Sequence, residues 1–193
     1  MRLISVIFIV LIILSGCSAK QSLEMKSLSV NINDDRSGGM RITSGEKEGE
    51  YIQPLTLSYY FVLKNIGEET LGGKENLNEE TYEYEDGLKV FIEPNEKLIE
   101  ISKDVMGFNI YNEEERKEAK LGMGKVSIPV LEPNQEGEYH IDYDLGALEE
   151  NPEIRLVPSD EQLDKLVEHA REASLVIYVE DEEIGRFELN NFK

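Results

Sequence analysis

The stretch LTLSYYFVLK at residues 55–64 decides the fold class of this chain, because its apolar and polar side chains alternate. Successive side chains of a β-strand point to opposite faces, so one face of this stretch is apolar and the other is largely polar. Such alternation is typical of an antiparallel strand with one face in the core. The apolar face holds Leu55, Leu57, Tyr59, Phe61 and Leu63.

Other segments continue the β pattern on both sides of this strand. Several of them are separated by proline or glycine, at the spacing of a β-sandwich. Residues 174–180 are apolar on both faces, which favours a central strand, and the chain then turns back to form a C-terminal hairpin. The sequence therefore predicts a mainly β, antiparallel sandwich-like domain. The predicted strands are 27–32, 88–93, 97–102, 125–131, 138–145, 174–180 and 183–189.

One amphipathic helix is predicted over about residues 159–173, packed on the sheet before the hairpin. Ser159 is the expected N-cap, and Gln162 completes a capping box. An apolar stripe follows at helical spacing, so one face of the helix should contact the sheet. A second, shorter segment at 113–120, capped by Asn112, has no such stripe and is either a solvated helix or no helix. The stripe of the first helix is Leu163, Leu166, Val167 and Ala170.

The first residues have the layout of a signal peptide. Arg2 supplies a positive start, and residues 3–14 are apolar except for Ser5. At ~1.5 Å per residue this run is well short of the ~30 Å hydrocarbon core of a bilayer. We expect residues 1–16 to be a removable leader.

The leader ends in Leu14-Ser15-Gly16-Cys17, which resembles the lipobox of bacterial lipoproteins. The resemblance implies that the Cys17 thiol receives a diacylglyceryl group carrying acyl chains such as palmitate, and that a peptidase cuts before Cys17. Two acyl chains hold a protein at a membrane far more durably than one. It also implies a membrane partner and a place on the extracytoplasmic face of the cell membrane. Residues 17–26 are then a lipidated tether, and 27–193 a single β-rich extracytoplasmic domain.

The phrase YYFVLKNIG at residues 59–67 resembles the strand and turn of immunoglobulin-like modules on bacterial surfaces. The chain departs from true immunoglobulin domains, because it has no tryptophan and only one cysteine. The resemblance therefore implies a generic sandwich. Richness in Lys, Glu, Ile and Asn favours a Gram-positive type of lipoprotein.

The charge is strongly acidic, with 20 Lys plus Arg against 40 Asp plus Glu and a formal net charge of -20. An acidic surface repels phosphate backbones, so we expect no nucleic acid partner. A single cysteine cannot form an intrachain disulfide, and the domain must depend on its core. The acidity is interpreted as a solvated surface that keeps an exported protein soluble.

No catalytic constellation is recognisable, and no metal or cofactor is predicted. His140 and His169 are the only histidines, and both are expected to be solvated. Neither a zinc-binding spacing nor a complete calcium loop occurs. A calcium site, if present, would draw its carboxylates from three acidic groups. These are Asp34-Asp35, Asp142 with Asp144, and residues 181–183. Tyr82 and Tyr84, interleaved with Glu83 and Glu85, form either an edge strand for a partner or a solvated hairpin.

These observations predict a noncatalytic binding or assembly module at the cell envelope, with an envelope protein or wall component as its partner. Its ligand-binding residues are not identified by the sequence. The alternative is an envelope glycan hydrolase that uses a pair of carboxylates. A cleft holding two carboxyl groups, one with a raised pKa, would favour the hydrolase.

Overall fold

The computed structural model describes residues 22–34 and 39–192, and these ranges hold nine strands, three α-helices and a 3₁₀-helix at Leu189–Asn191. Most of the regular structure is β and all the paired strands are antiparallel, which confirms the predicted fold class. The strands are β1 Leu23–Asn33, β2 Met40–Arg41, β3 Tyr51–Ile52, β4 Leu55–Asn65, β5 Leu88–Pro94, β6 Met123–Val126, β7 Glu136–Gly146, β8 Ala173–Val179 and β9 Glu182–Glu188. The helices are α1 Glu96–Met106, α2 Glu113–Glu118 and α3 Asp160–His169.

A four-stranded sheet is built in the order β1-β4-β7-β6. The strand predicted from residues 55–64 is β4, which pairs with β1 on one side and with β7 on the other. β1 begins at Leu23, earlier than the predicted strand at 27–32. Residues 23–26, which the sequence analysis assigned to the tether, therefore belong to this sheet.

A three-stranded sheet has the order β5-β8-β9. β8 is its central strand, as its two apolar faces predicted, and it continues through a two-residue turn into β9. The turn consists of Glu180, whose φ is 52°, and Asp181. The predicted C-terminal hairpin is thus confirmed, and a third, two-stranded sheet pairs β2 with β3.

The inner faces of the two larger sheets share one hydrophobic core with α1 and α3. Tyr59 is fully buried there, and its hydroxyl donates to the carbonyl of Ala170, 2.8 Å away, just after α3. The Tyr59 hydroxyl also lies 2.8 Å from that of Tyr111. Burial raises the pKa of Tyr59, so the phenol stays neutral and can act as a donor.

Helix α3 begins as predicted but ends at His169, earlier than the predicted 173, because β8 starts at Ala173. Ser159 is the N-cap, and its backbone N–H donates to Oε1 of Gln162 at 3.2 Å, as in a capping box. Leu163 and Leu166 are buried against the core. No helix within residues 22–34 and 39–192 is long and apolar enough to cross a membrane.

The predicted strand at 97–102 is wrong, because these residues lie in α1. Asn95 caps this helix by accepting the backbone N–H of Leu98 at 3.0 Å, and Gly107 ends it in the left-handed conformation. Leu98, Val105 and neighbouring residues form a buried stripe at helical spacing. Two alternating isoleucines, Ile99 and Ile101, also fitted a strand pattern.

Two further predictions need correction. The predicted strand at 125–131 is shorter and shifted, since β6 ends at Val126. The short helix at 113–120 exists as α2, capped by Asn112, but it is not wholly solvated. Its Arg116 is buried and donates to the carbonyl of Ile110 at 2.6 Å, with the guanidinium 5.3 Å from the ring centre of Tyr143.

Candidate binding face

The two larger sheets each turn one face away from the core, and the two outer faces differ in chemistry. We call the outer face of β5, β8 and β9 the open face and that of β1, β4 and β7 the polar face. The open face carries Lys89, Phe91, Glu93, Val176, Tyr178 and Arg186. The polar face carries Asn33, Thr56, Ser58, Tyr60, His140, Asp142 and Asp144.

An aromatic pair lies at the centre of the open face. Phe91 is 45% exposed and meets Tyr178 edge-to-face, with ring centroids 5.8 Å apart and an interplanar angle of 79°. Val176 is buried on the same face of β8. These side chains line an open groove of about 590 Å³. An exposed apolar patch with polar side chains around it is a candidate contact surface.

Lys125 of β6 lies against Phe91, at one side of the aromatic pair. Its ammonium lies 4.7 Å from the ring centre of Phe91 and 3.0 Å from a carboxylate oxygen of Glu83. The first distance is typical of a cation–π interaction. The open face therefore already holds an alkylammonium group between an aromatic ring and a carboxylate.

Arg186 forms the opposite rim of the groove. It donates to the Glu93 carboxylate, and its Nε and Nη2 atoms each lie 2.9 Å from the carboxylate of Glu183. Hydrogen bonds from Arg186 lower the pKa of Glu183. The same bonds raise the pKa of Arg186, so this rim is fully charged near neutral pH.

A second groove, of about 540 Å³, adjoins the first and is acidic. Both grooves are lined by Lys89, Glu180 and Asp181, so they meet at the β8–β9 turn. The other wall of the acidic groove is the loop at residues 66–87, which contributes Glu85 and Asp86. Within the described ranges, no cation forms a salt bridge with Glu180 or Asp181.

Asp86 fixes the loop beside the acidic groove. Its two carboxylate oxygens accept the backbone N–H groups of Glu75 and Asn76, at 3.0 and 3.1 Å. These hydrogen bonds lower the pKa of Asp86. Gly72 brings the loop against the body, because a Cβ atom there would lie 2.1 Å from the carbonyl oxygen of Pro129.

On the polar face, the buried polar side chains form hydrogen bonds with one another. Ser58 is buried and donates to the buried carboxylate of Asp142, while it accepts the side-chain amide of Asn33 at 3.0 Å. The Thr56 hydroxyl lies 3.1 Å from that of Ser58 and donates to the Asn33 carbonyl at 3.1 Å. A buried network of this kind leaves few groups for a partner.

Asp142 and Asp144 are the carboxylates that most resemble a reactive pair. They lie two residues apart on the same face of β7. Burial raises the pKa of Asp144, and the nearby Asp142 raises it further, whereas the backbone N–H of Gly122 donates to Asp144 at 3.0 Å and lowers it. Asp142 is only 5% exposed, so its carboxylate has little access to a substrate.

The structure does not gather the other sequence-derived candidates into one site. Cys17, the predicted lipidation site, lies outside the described residues. His140 is half-buried against the Tyr60 ring, and His169 lies in the last turn of α3. In the described part of the chain, no three His, Cys, Asp or Glu side chains are placed to hold a metal ion.

Tyr82 and Tyr84 lie in the 66–87 loop and form no edge strand. An isolated bridge joins Tyr84 to Leu77, and the Tyr82 N–H donates to the Asn78 carbonyl at 2.8 Å, so this segment is a hairpin-like turn. Tyr82 is 81% exposed and borders a groove that also includes Lys89 and Lys125. The alternative of a solvated hairpin is closer to the structure.

Sequence reasoning missed Phe91 and Lys125 as members of one surface. One sign of this surface was present in the sequence. Residues 174–180 have a second apolar face, and a strand needs such a face only where something covers it. Comparison with known proteins offers no further guide: no protein-family model, curated protein or solved structure matches this chain.

Proposed function

We propose that this chain is a lipid-anchored extracytoplasmic lipoprotein, and that its mature part is a noncatalytic module that binds an envelope protein through the open face. One observation carries the binding role, namely the exposed Phe91 and its Tyr178 neighbour in a groove that also has charged side chains in its lining. Exposed apolar patches rimmed by polar residues mark interaction sites, and aromatic and arginine side chains dominate interface energetics.

The anchor rests on the Leu14-Ser15-Gly16-Cys17 motif. A diacylglyceryl group on Cys17 would keep the acidic domain beside the membrane, where an envelope partner is at high local concentration. Radiolabelled palmitate should enter the wild-type protein and be lost in Cys17→Ser. The variant should also keep its leader. Equal labelling and processing of both proteins would contradict the anchor.

The binding role is tested by a photoreactive amino acid placed at position 91 in living cells. We expect one dominant crosslinked envelope protein, and we expect that product to be lost when Tyr178→Ala is added. Position 148 is the matched control, because Leu148 is 63% exposed but lies away from the open face. Equal products from both positions, or none from position 91, would contradict binding through the open face.

The alternative function is an envelope glycan hydrolase, and the raised pKa of Asp144 beside Asp142 favours it. It requires that the purified protein turn over a wall-derived glycan and that Asp144→Asn abolish turnover. The Asp142 carboxylate already accepts a hydrogen bond from Ser58, and both groups are buried. The binding module is therefore the function better supported by the geometry.

A further inference from the structure

We infer that the open face accepts a segment of its partner that presents an apolar and a cationic side chain to it, side by side. The inference rests on the proposed function and specifies the chemistry of the partner. It follows from two features that meet at the β8–β9 turn, an aromatic groove and an acidic groove.

The apolar half of the surface sets the first requirement. Phe91 and Tyr178 meet edge-to-face over a groove whose lining also includes Val176 and Ile92. An aliphatic or aromatic side chain that entered this groove would remove apolar surface from water on both partners, which is the main favourable term in association.

The charged half sets the second requirement. Five carboxylates and one lysine line the acidic groove, so it carries a negative potential next to the aromatic groove. Glu180 and Asp181 lie at the junction, and within the described ranges no cation forms a salt bridge with either of them. A lysine or arginine of the partner would complement this potential, whereas a carboxylate would be repelled.

The molecule contains its own example of the predicted contact. The Lys125 ammonium rests on the Phe91 ring and pairs with the Glu83 carboxylate, in a position where its side chain is only 11% exposed. An alkylammonium group is thus already accommodated at the border between the aromatic and acidic parts. A partner lysine can repeat this arrangement at the β8–β9 turn.

The two grooves share Lys89, Glu180 and Asp181, so they open side by side on one surface. In an extended segment, side chains two residues apart point the same way and are separated by ~7 Å, while their neighbours point to the opposite side. A segment with phenylalanine and lysine two residues apart can therefore direct the phenylalanine to the aromatic groove and the lysine to the carboxylates. A cation alone, or an apolar side chain alone, would use only half of the surface.

The test is fluorescence anisotropy with the purified intact chain in neutral detergent and empty micelles as the blank. The probes are labelled peptides in which serine occupies every second position, and the remaining positions alternate lysine with phenylalanine, alternate glutamate with phenylalanine, or hold only lysine. We expect the lysine–phenylalanine peptide to bind about tenfold more tightly than either of the others. Equal binding of the lysine–serine peptide would overturn the inference, because it would show unspecific attraction to an acidic protein.

Charge-reversal variants test whether the lysine–phenylalanine peptide binds at the β8–β9 turn. Glu180→Lys with Asp181→Lys should weaken binding of the lysine–phenylalanine peptide by about tenfold, and Phe91→Ala should do so by a similar factor. The control double variant is Asp164→Lys with Glu168→Lys on α3, which changes the net charge equally and lines a different groove. An equal loss in the control would overturn the inference.

The inference and the proposed function fail in different ways. If position 91 crosslinks a partner in cells but the peptides show no preference for lysine with phenylalanine, the binding face stands and its inferred chemistry falls. If position 91 captures no partner, the proposed function falls, and the inference falls with it.

Discussion

The two outer faces of this protein are both formed by antiparallel strands. They differ because one buries its polar side chains in hydrogen bonds and the other exposes an aromatic side chain. On the polar face, Ser58 and Asp142 are buried and satisfy each other. On the open face, Phe91 keeps 45% of its surface exposed to solvent. A self-satisfied polar network contributes specificity to the fold, whereas an exposed aromatic groove contributes little to stability and much to association. This difference supports our proposal that the three-stranded sheet carries the binding surface.

The largest expected effect comes from the loop that walls the acidic groove. Gly72→Ala should lower the free energy of unfolding by about 3 kcal/mol, because residue 72 has a φ of 74° and a Cβ atom would overlap the Pro129 carbonyl. Urea unfolding measures the change. Gly45→Ala is the matched control, since φ is 87° but no atom lies within 4 Å, and about 1 kcal/mol is expected. Equal losses would contradict close docking of the loop.

The polar face should be the next most sensitive region. Asp142→Ala should lower the free energy of unfolding by about 2 kcal/mol, because it leaves the buried Ser58 hydroxyl without its acceptor. The exposed Glu138 on the same face of β7 provides the control, and Glu138→Ala should change stability by less than about 0.5 kcal/mol. If the two variants unfold at the same urea concentration, the network is not a stabilising unit.

On the open face, a substitution should reduce partner binding strongly and stability only slightly. Phe91→Ala should cost only about 1 kcal/mol of unfolding free energy, because the ring is already partly exposed. The same variant should lose crosslinking of the partner at a photoreactive residue placed at position 178. Leu148→Ala, which removes another exposed apolar side chain, should leave crosslinking unchanged. A large loss of stability in Phe91→Ala would instead make the aromatic pair part of the core.

The smallest expected effect concerns Asp144. Its pKa is raised above that of the unfolded chain, mainly by burial, so the folded state binds the proton more tightly. Protonation of Asp144 therefore stabilises the wild type as the pH falls toward the pKa of this carboxyl group. At neutral pH the ionised carboxylate is destabilising. Asp144→Asn should therefore be more stable than the wild type at pH 7, by less than about 1 kcal/mol after solvent screening, and the gap should close near pH 4. Urea unfolding at both pH values measures it.

A wild type that is more stable than Asp144→Asn at pH 7 would contradict this sign. It would also mean that the ionised carboxylate is favoured by its contact with Gly122 more than it is penalised by burial.

The sequence was sufficient to predict the strands whose faces differ, because alternation is a local property. Residues 55–64 became β4 for this reason, and residues 174–180, which are apolar on both faces, became the central β8. Alternation misled at 97–102, where Ile99 and Ile101 alternate, because Leu98 and Ile101 belong to the apolar surface of a helix that Asn95 caps.

The proposed binding face could not be predicted, because its parts come from different sheets. Phe91 lies on β5, Lys125 on β6 of the other sheet, and Glu83 on the 66–87 loop. No spacing in the sequence indicates that these three side chains meet. The second apolar face of β8 predicted only a central strand, and Val176 on that face is buried among the side chains that line the open groove.

Hydroxyl-radical footprinting in living cells tests the assignment of binding to one outer face most directly. Aromatic and histidine side chains report from both faces, with Phe91 and Tyr178 on the open face and Tyr60 and His140 on the polar face. We predict that Phe91 and Tyr178 are oxidised much more slowly in cells than in the purified protein, while Tyr60 and His140 react equally in both. Protection of the polar face with an unprotected Phe91 would contradict the account.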